Sequence, residues 1–160
     1  MTGGRIEMLR HTVATLAYRG AKAVRNAPEG FAEFRVSPGS RSAGQILAHI
    51  GNLLDWALRL AKGKHEWHEA APLPWEQETA RFFASLAALD AYLASGTPLG
   101  SFPAEKLFQG PVADALTHVG QITMMRRLAG APVRGENYVM AGIEAGRTGA
   151  EQAAPVREFD

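Results

Sequence analysis

Apolar residues recur every three or four positions in four separate stretches of this chain, and each stretch is closed by glycine or proline. That spacing puts them on one face of a helix, and no strong period-of-two pattern argues for strands. The clearest stretch is GPVADALTHVGQITMMRRLAG, from Gly110 to Gly130. Val112, Ala115, Leu116, Val119, Ile122 and Met125 form its apolar stripe. Arg126 and Arg127 fall in the last turn, where cations suit the negative end of the helix dipole. Gly130 and Pro132 then stop it.

The other three stretches follow the same logic. The first runs from Arg5 to about Asn26, with Ile6, Leu9, Val13, Leu16 and Val24 on its stripe, and Pro28 and Gly30 beyond it. Gly20 lies inside this helix at a cost of about 1 kcal/mol against alanine, which close approach by a neighbouring helix would explain. The second begins near Ser42, whose spacing from Gln45 matches a capping box, and continues through Ile46, Ile50, Leu53, Leu54, Ala57 and Leu60 to Gly63. The third, from about Trp75 to Ala94, buries Phe82, Phe83, Leu86, Leu89 and Leu93. Residues 31–41 read as a loop turning at Pro38-Gly39, Lys64 to Pro74 as a crossover, and Pro103 to Leu107 as one extra turn. After Gly130 the chain becomes glycine-rich and polar, with a short helix expected from Tyr138 to Ala145. The expected architecture is all-α: one domain over residues 1–160, a four-helix bundle over about 5–130, and an irregular C-terminal tail over 131–160.

Composition narrows the function. A chain of 160 residues can bury a core without staples. The absence of cysteine excludes disulfides, thiolate metal sites and a protein thiol nucleophile. With 17 basic and 16 acidic residues intermixed there is no basic field, so nucleic acid is not an expected partner. No apolar run approaches the roughly 20 residues that span a bilayer, so no membrane is expected either. The N-terminal stretch lacks the apolar segment of a signal peptide, and a cytoplasmic protein is expected.

The informative residues are polar ones set into apolar faces. Asp114 and His118 are four apart and stack on one face of the fourth helix, with Gln121 extending it. His49 lies inside the stripe of the second helix, and Gln45, Asn52 and Trp56 share its side. If those two helices are neighbours, His49, Asp114 and His118 converge. Two imidazoles and a carboxylate are a legitimate ligand set for a divalent metal. The same residues also read as a hydrogen-bonded Asp114–His118 pair beside a satisfied core histidine. Gln45, Asn52 and Gln121 are candidates to orient the ligands or touch substrate, or are ordinary polar residues at the helix margin. His65 and His68 have metal-like spacing, but in a charged loop they read as solvated. Trp56, Trp67 and Trp75 either line a pocket near the crossover or serve packing, and Met124 and Met125 read as core. Arg134, Glu136 and Asn137 of the tail either reach over the site or are solvated. His11 is expected to be exposed or partly buried.

THVGQITMMRRLAG resembles the last helix of the DinB/YfiT-like superfamily, where a histidine is followed, after three intervening residues, by a histidine, arginine, glycine and glutamine. SAGQILAHIGNLLDWAL resembles the second helix of that family, which carries another histidine. The resemblance covers about residues 5 to 130. It implies an up-down-down-up four-helix bundle, often a homodimer, with three histidines on a divalent metal, zinc or nickel. His49 and His118 match two of the ligands, and Gly120 and Gln121 fit the motif. Asp114 stands where the third histidine is expected, and Val119 replaces the arginine. A carboxylate in that set brings iron within range as well. The implied function is a metal-dependent enzyme acting on a small molecule, of thiol S-transferase or hydrolase type, with a low-molecular-weight thiol such as bacillithiol or mycothiol as co-substrate. The alternative is a non-catalytic dimeric bundle, a stress or interaction protein with a degenerate metal site.

Overall fold

The computed structural model describes residues 2–159. It is mostly helical, with four long helices and one very short strand pair. Helix α1 spans Thr2–Val24, α2 Ala43–Ala61 and α3 Trp75–Ala94. A single turn, α4 (Ala104–Leu107), leads through a π turn (Phe108–Val112) into α5 (Ala113–Leu128). The fourth expected helix therefore starts at Ala104 and not at Gly110. Proline inside a helix removes an N–H and presses on the carbonyl four residues back. Here the wider π turn absorbs Pro111 without ending the helix.

Local chemistry sets the boundaries. Gln45 N donates to Ser42 Oγ at 3.2 Å and Ser42 N donates to Gln45 Oε1 at 2.9 Å, completing the capping box of α2. Gly63 and Gly130 follow α2 and α5 with φ of 82° and 76°, a left-handed conformation that costs other residues more. After α1 the same conformation is taken by Asn26, at φ 54°.

α1 packs on α3 and α5, and so does α2. Leu16, Leu47, Ile50, Leu54, Phe82, Leu86, Leu89 and Ile122 are fully buried at the centre. The expected close approach at Gly20 is present: a Cβ there would overlap the ring of Phe82. Arg10 donates from Nε to Asp90 Oδ1 at 2.9 Å, joining the start of α1 to the end of α3. Arg81 of α3 reaches into α2, donating to Asn52 Oδ1 at 2.6 Å and Asp55 Oδ2 at 2.8 Å. One turn further along both helices, Ser85 Oγ donates to Asp55 Oδ1. Arg126 near the end of α5 is buried and donates to the carbonyls of Ala23, Arg25 and Asn26 at the end of α1. It thereby satisfies acceptors that a helix terminus leaves open.

Two expectations need correction. Met124 is 56% exposed, while its neighbour Met125 is 3% exposed. Adjacent helical positions differ by about 100° around the axis, so only one of the two faces the core. The expected helix from Tyr138 to Ala145 is only a 3₁₀ turn, Tyr138–Met140. The tail is instead fixed by a strand pair, β1 (Gly135–Glu136) against β2 (Glu158–Phe159), antiparallel with Gly135 opposite Phe159. Glu136 is buried, accepting from Tyr18 Oη at 2.7 Å and from Lys22 Nζ at 2.8 Å. Among the described residues no helix is long and apolar enough to cross a membrane.

Candidate metal centre

His49 projects from the middle of α2, and Asp114 and His118 from successive turns of α5. The rings of His49 and His118 are 4.8 Å apart between centroids. Asp114 Oδ2 is 3.8 Å from His49 Nε2, and its Oδ1 is 3.2 Å from His118 Nδ1. One donor atom from each residue can be chosen so that all lie within 4.8 Å of one another. Ligands at about 2.1 Å around a tetrahedral ion sit roughly 3.4 Å apart, so an ion requires the side chains to close by about 1 Å. Small rotations of three side chains on two rigid helices supply movements of that size.

The imidazoles are poised for a ligand role. The side chains of His49 and His118 are 16% and 12% exposed, against 45% for Asp114. Nδ1 of His118 lies 2.8 Å from the main-chain oxygen of Asp114. A carbonyl only accepts, so Nδ1 carries a proton, and in the neutral tautomer Nε2 keeps its lone pair. Nδ1 of His49 is buried with no hydrogen-bond partner among the described residues. Burial lowers the His49 pKa, with Arg41 and His118 adding to the effect and Asp114 and Glu69 opposing it. The shift favours the neutral ring, the form that coordinates metal. Two imidazoles and a carboxylate suit zinc, nickel or ferrous iron by donor type.

The surrounding candidates have other attachments. Gln45 is held in the capping box through its side-chain oxygen. Asn52 is buried and accepts from Arg81 and from the main-chain N–H of Ala70 at 3.4 Å, tying the crossover to α2. Gln121 is exposed on α5. Of the tail residues, Glu136 pairs with Lys22 and Tyr18, Arg134 with Glu158, and the Asn137 side chain accepts from Val139 N. These bonds tie the tail to α1 and to itself, and Ala131 O accepts from Arg126 Nε of α5 at 3.0 Å.

The tryptophans divide. Trp75 packs edge-on to Phe31 with centroids 5.2 Å apart, where α3 begins. Trp67 of the crossover lies against His49, at 5.7 Å between centroids, and against Trp56, at 5.8 Å. His65 stacks on Trp56 at 5.7 Å, and His68 lies 3.7 Å from Glu66, so the two crossover histidines do not converge. His11 is exposed. The sequence reading missed Arg81, which organises the α2–α3 side of the site. Its one local signal is Glu78 three residues earlier, a fully buried carboxylate 3.4 Å from Arg81 Nη1.

Comparison with family models, characterised proteins and solved structures returned no match for this chain.

Proposed function

We infer that the protein is a metal-dependent enzyme of the DinB/YfiT-like kind, acting on a small molecule as a transferase or hydrolase. The observation that carries this reading is the meeting of His49, Asp114 and His118 from two helices. The up-down-down-up order of that family has support in the contacts along the helices. Arg10 with Asp90 and Gly20 with Phe82 run in opposite senses along α1 and α3. Asn52 with Arg81 and Asp55 with Ser85 run in the same sense along α2 and α3. His49 meets Asp114 while Trp56 meets Gly110, which is opposite again.

A divalent ion held by these residues supplies Lewis-acid chemistry able to acidify a water or a thiol. The chain's own part is to present two imidazoles, to fix the His118 tautomer through the Asp114 carbonyl, and to cover His49 with the Trp67 ring. A low-molecular-weight thiol is the co-substrate that the resemblance to this family implies.

The 3.2 Å approach of Asp114 Oδ1 to His118 Nδ1 favours a second reading, a non-catalytic bundle with a polar pair in place of a metal. Elemental analysis of tag-free protein separates the two. The enzyme reading expects near-stoichiometric zinc, nickel or iron, lost in His49→Ala and His118→Ala variants that still fold. No bound metal, with loss of stability in the same variants, supports the second reading and overturns the first.

A further inference from the structure

Three buried polar side-chain atoms lack a hydrogen-bond partner among the described residues: His49 Nδ1, Trp56 Nε1 and Thr79 Oγ1. Two of the three belong to the side chains that Trp67 touches. A buried polar group left unpaired is costly, so two on the side chains around one ring call for an explanation. The indole N–H of Trp56 can only donate. Whatever satisfies it brings an acceptor atom to the space beside His49.

The ring now beside these groups is weakly held. Trp67 is 41% exposed, and its one hydrogen bond, from Nε1 to Glu69 Oε2 at 2.8 Å, stays within the crossover. Among the described residues, 65–73 make no main-chain hydrogen bonds to other main-chain groups. Side chains hold this segment on both sides of Trp67: His65 stacks on Trp56 and Glu66 lies 3.7 Å from Arg59 before it, while Asn52 accepts from Ala70 N and Glu78 accepts from Leu73 N at 3.0 Å after it. Both acceptors are also bonded to Arg81. Between these attachments the Trp67 ring itself stands half exposed.

The Trp67 ring is tilted 56° to His49 and stands at 85° to Trp56, so one ring touches both side chains that carry an unpartnered atom. We propose that Trp67 stands in a substrate subsite, and that a planar group bearing a hydrogen-bond acceptor displaces it and accepts from Trp56. The ligand class is a small aromatic or heteroaromatic molecule with a carbonyl or carboxyl oxygen. This deepens the reading of the His49 site and assigns it a specificity element. The displaced indole rotates out about its own side-chain bonds.

The test uses metal-free protein, so a failure to bind metal and a failure of the subsite are separate results. Benzamide is titrated while the three indole N–H signals are followed by NMR, assigned through single Trp→Phe variants. Saturable shifts of Trp56 and Trp67, with Trp75 unmoved, are expected. Trp56→Phe keeps the wall but loses the donor, and should weaken binding about tenfold. Trp67→Ala removes the competing ring and should tighten binding about threefold or more. Weaker binding in Trp67→Ala, with folding intact by circular dichroism, would make that ring part of the wall and overturn the proposal. No saturable shift in the wild type, or equal shifts at all three indoles, would overturn it too.

Discussion

The imidazole of His118 is fastened by its own helix: Nδ1 donates to the main-chain oxygen of Asp114, one turn earlier, at 2.8 Å. A histidine fixed in this way offers Nε2 alone to a ligand. Nitrogen NMR of the neutral side chain should therefore show the Nδ1–H tautomer for His118, with only the Nε2 signal moving when zinc is added. A dominant Nε2–H tautomer contradicts this geometry.

Asp114 faces both imidazoles but sits closer to the one it orients, at 3.2 Å against 3.8 Å. If orientation is its main role, Asp114→Ala should weaken zinc binding by about 10- to 100-fold while leaving stoichiometry intact. Isothermal titration measures it. Asp114→His should strengthen binding, because the longer side chain reaches where the carboxylate falls short. Unchanged affinity in both variants would remove Asp114 from the site altogether.

The contact between Gly20 and Phe82 gives a stability test independent of any ligand. Gly20→Ala forces a methyl into the ring of a residue that is 1% exposed. Overpacking of this sort costs about 1–3 kcal/mol, despite alanine's better helix propensity. Phe82→Ala should cost about 3–5 kcal/mol. In the double variant the Gly20→Ala penalty should vanish, a coupling that urea denaturation of all four proteins would reveal. Full additivity argues against the contact.

The tail is fastened through Lys22, which donates to Glu136 and Glu158 at 2.8 and 2.9 Å. Burial works against its charge, but the two carboxylates outweigh it, and its pKa lies above the usual value. The hydrogen bond from Lys22 in turn holds the Glu158 carboxyl below its ordinary value. A carboxyl with a lowered folded pKa stabilises above its unfolded pKa, about 4.3, and loses that contribution as pH falls through the folded value. The protection factor of the Asn137 amide, which donates to Arg157 O at 2.9 Å across the strand pair, should therefore fall in acid before the bundle unfolds. Lys22→Met should release the tail to limited proteolysis at neutral pH, since it strands Glu136 in the interior. Equal protection in this variant would show the ion pair to be dispensable.

The helices were legible because their signals are local. The Ser42–Gln45 capping box, the glycine stops and the 3.6-residue stripes each act within a few positions. His49, Asp114 and His118 were legible because each interrupts an apolar face. Trp67 was harder: its contact with His49 depends on the path of a loop that carries no periodic signal. Glu136 was harder still. It is a carboxylate in a glycine-rich tail, and its partners Tyr18 and Lys22 lie 118 and 114 positions away. The π turn escaped because proline near a helix start ordinarily marks the start itself.

That turn has a consequence for descent. It accommodates one residue more than an unbroken α-helix would, and each residue carries the following side chains about 100° around the axis. A gene one codon shorter near Gly110 would turn Asp114 and His118 about 100° relative to the residues before the turn, with His49, Asp114 and His118 all still in the sequence. In a lineage of such chains, chemistry at this position would be gained or silenced by a single in-frame insertion or deletion, without replacement of any of the residues that perform it.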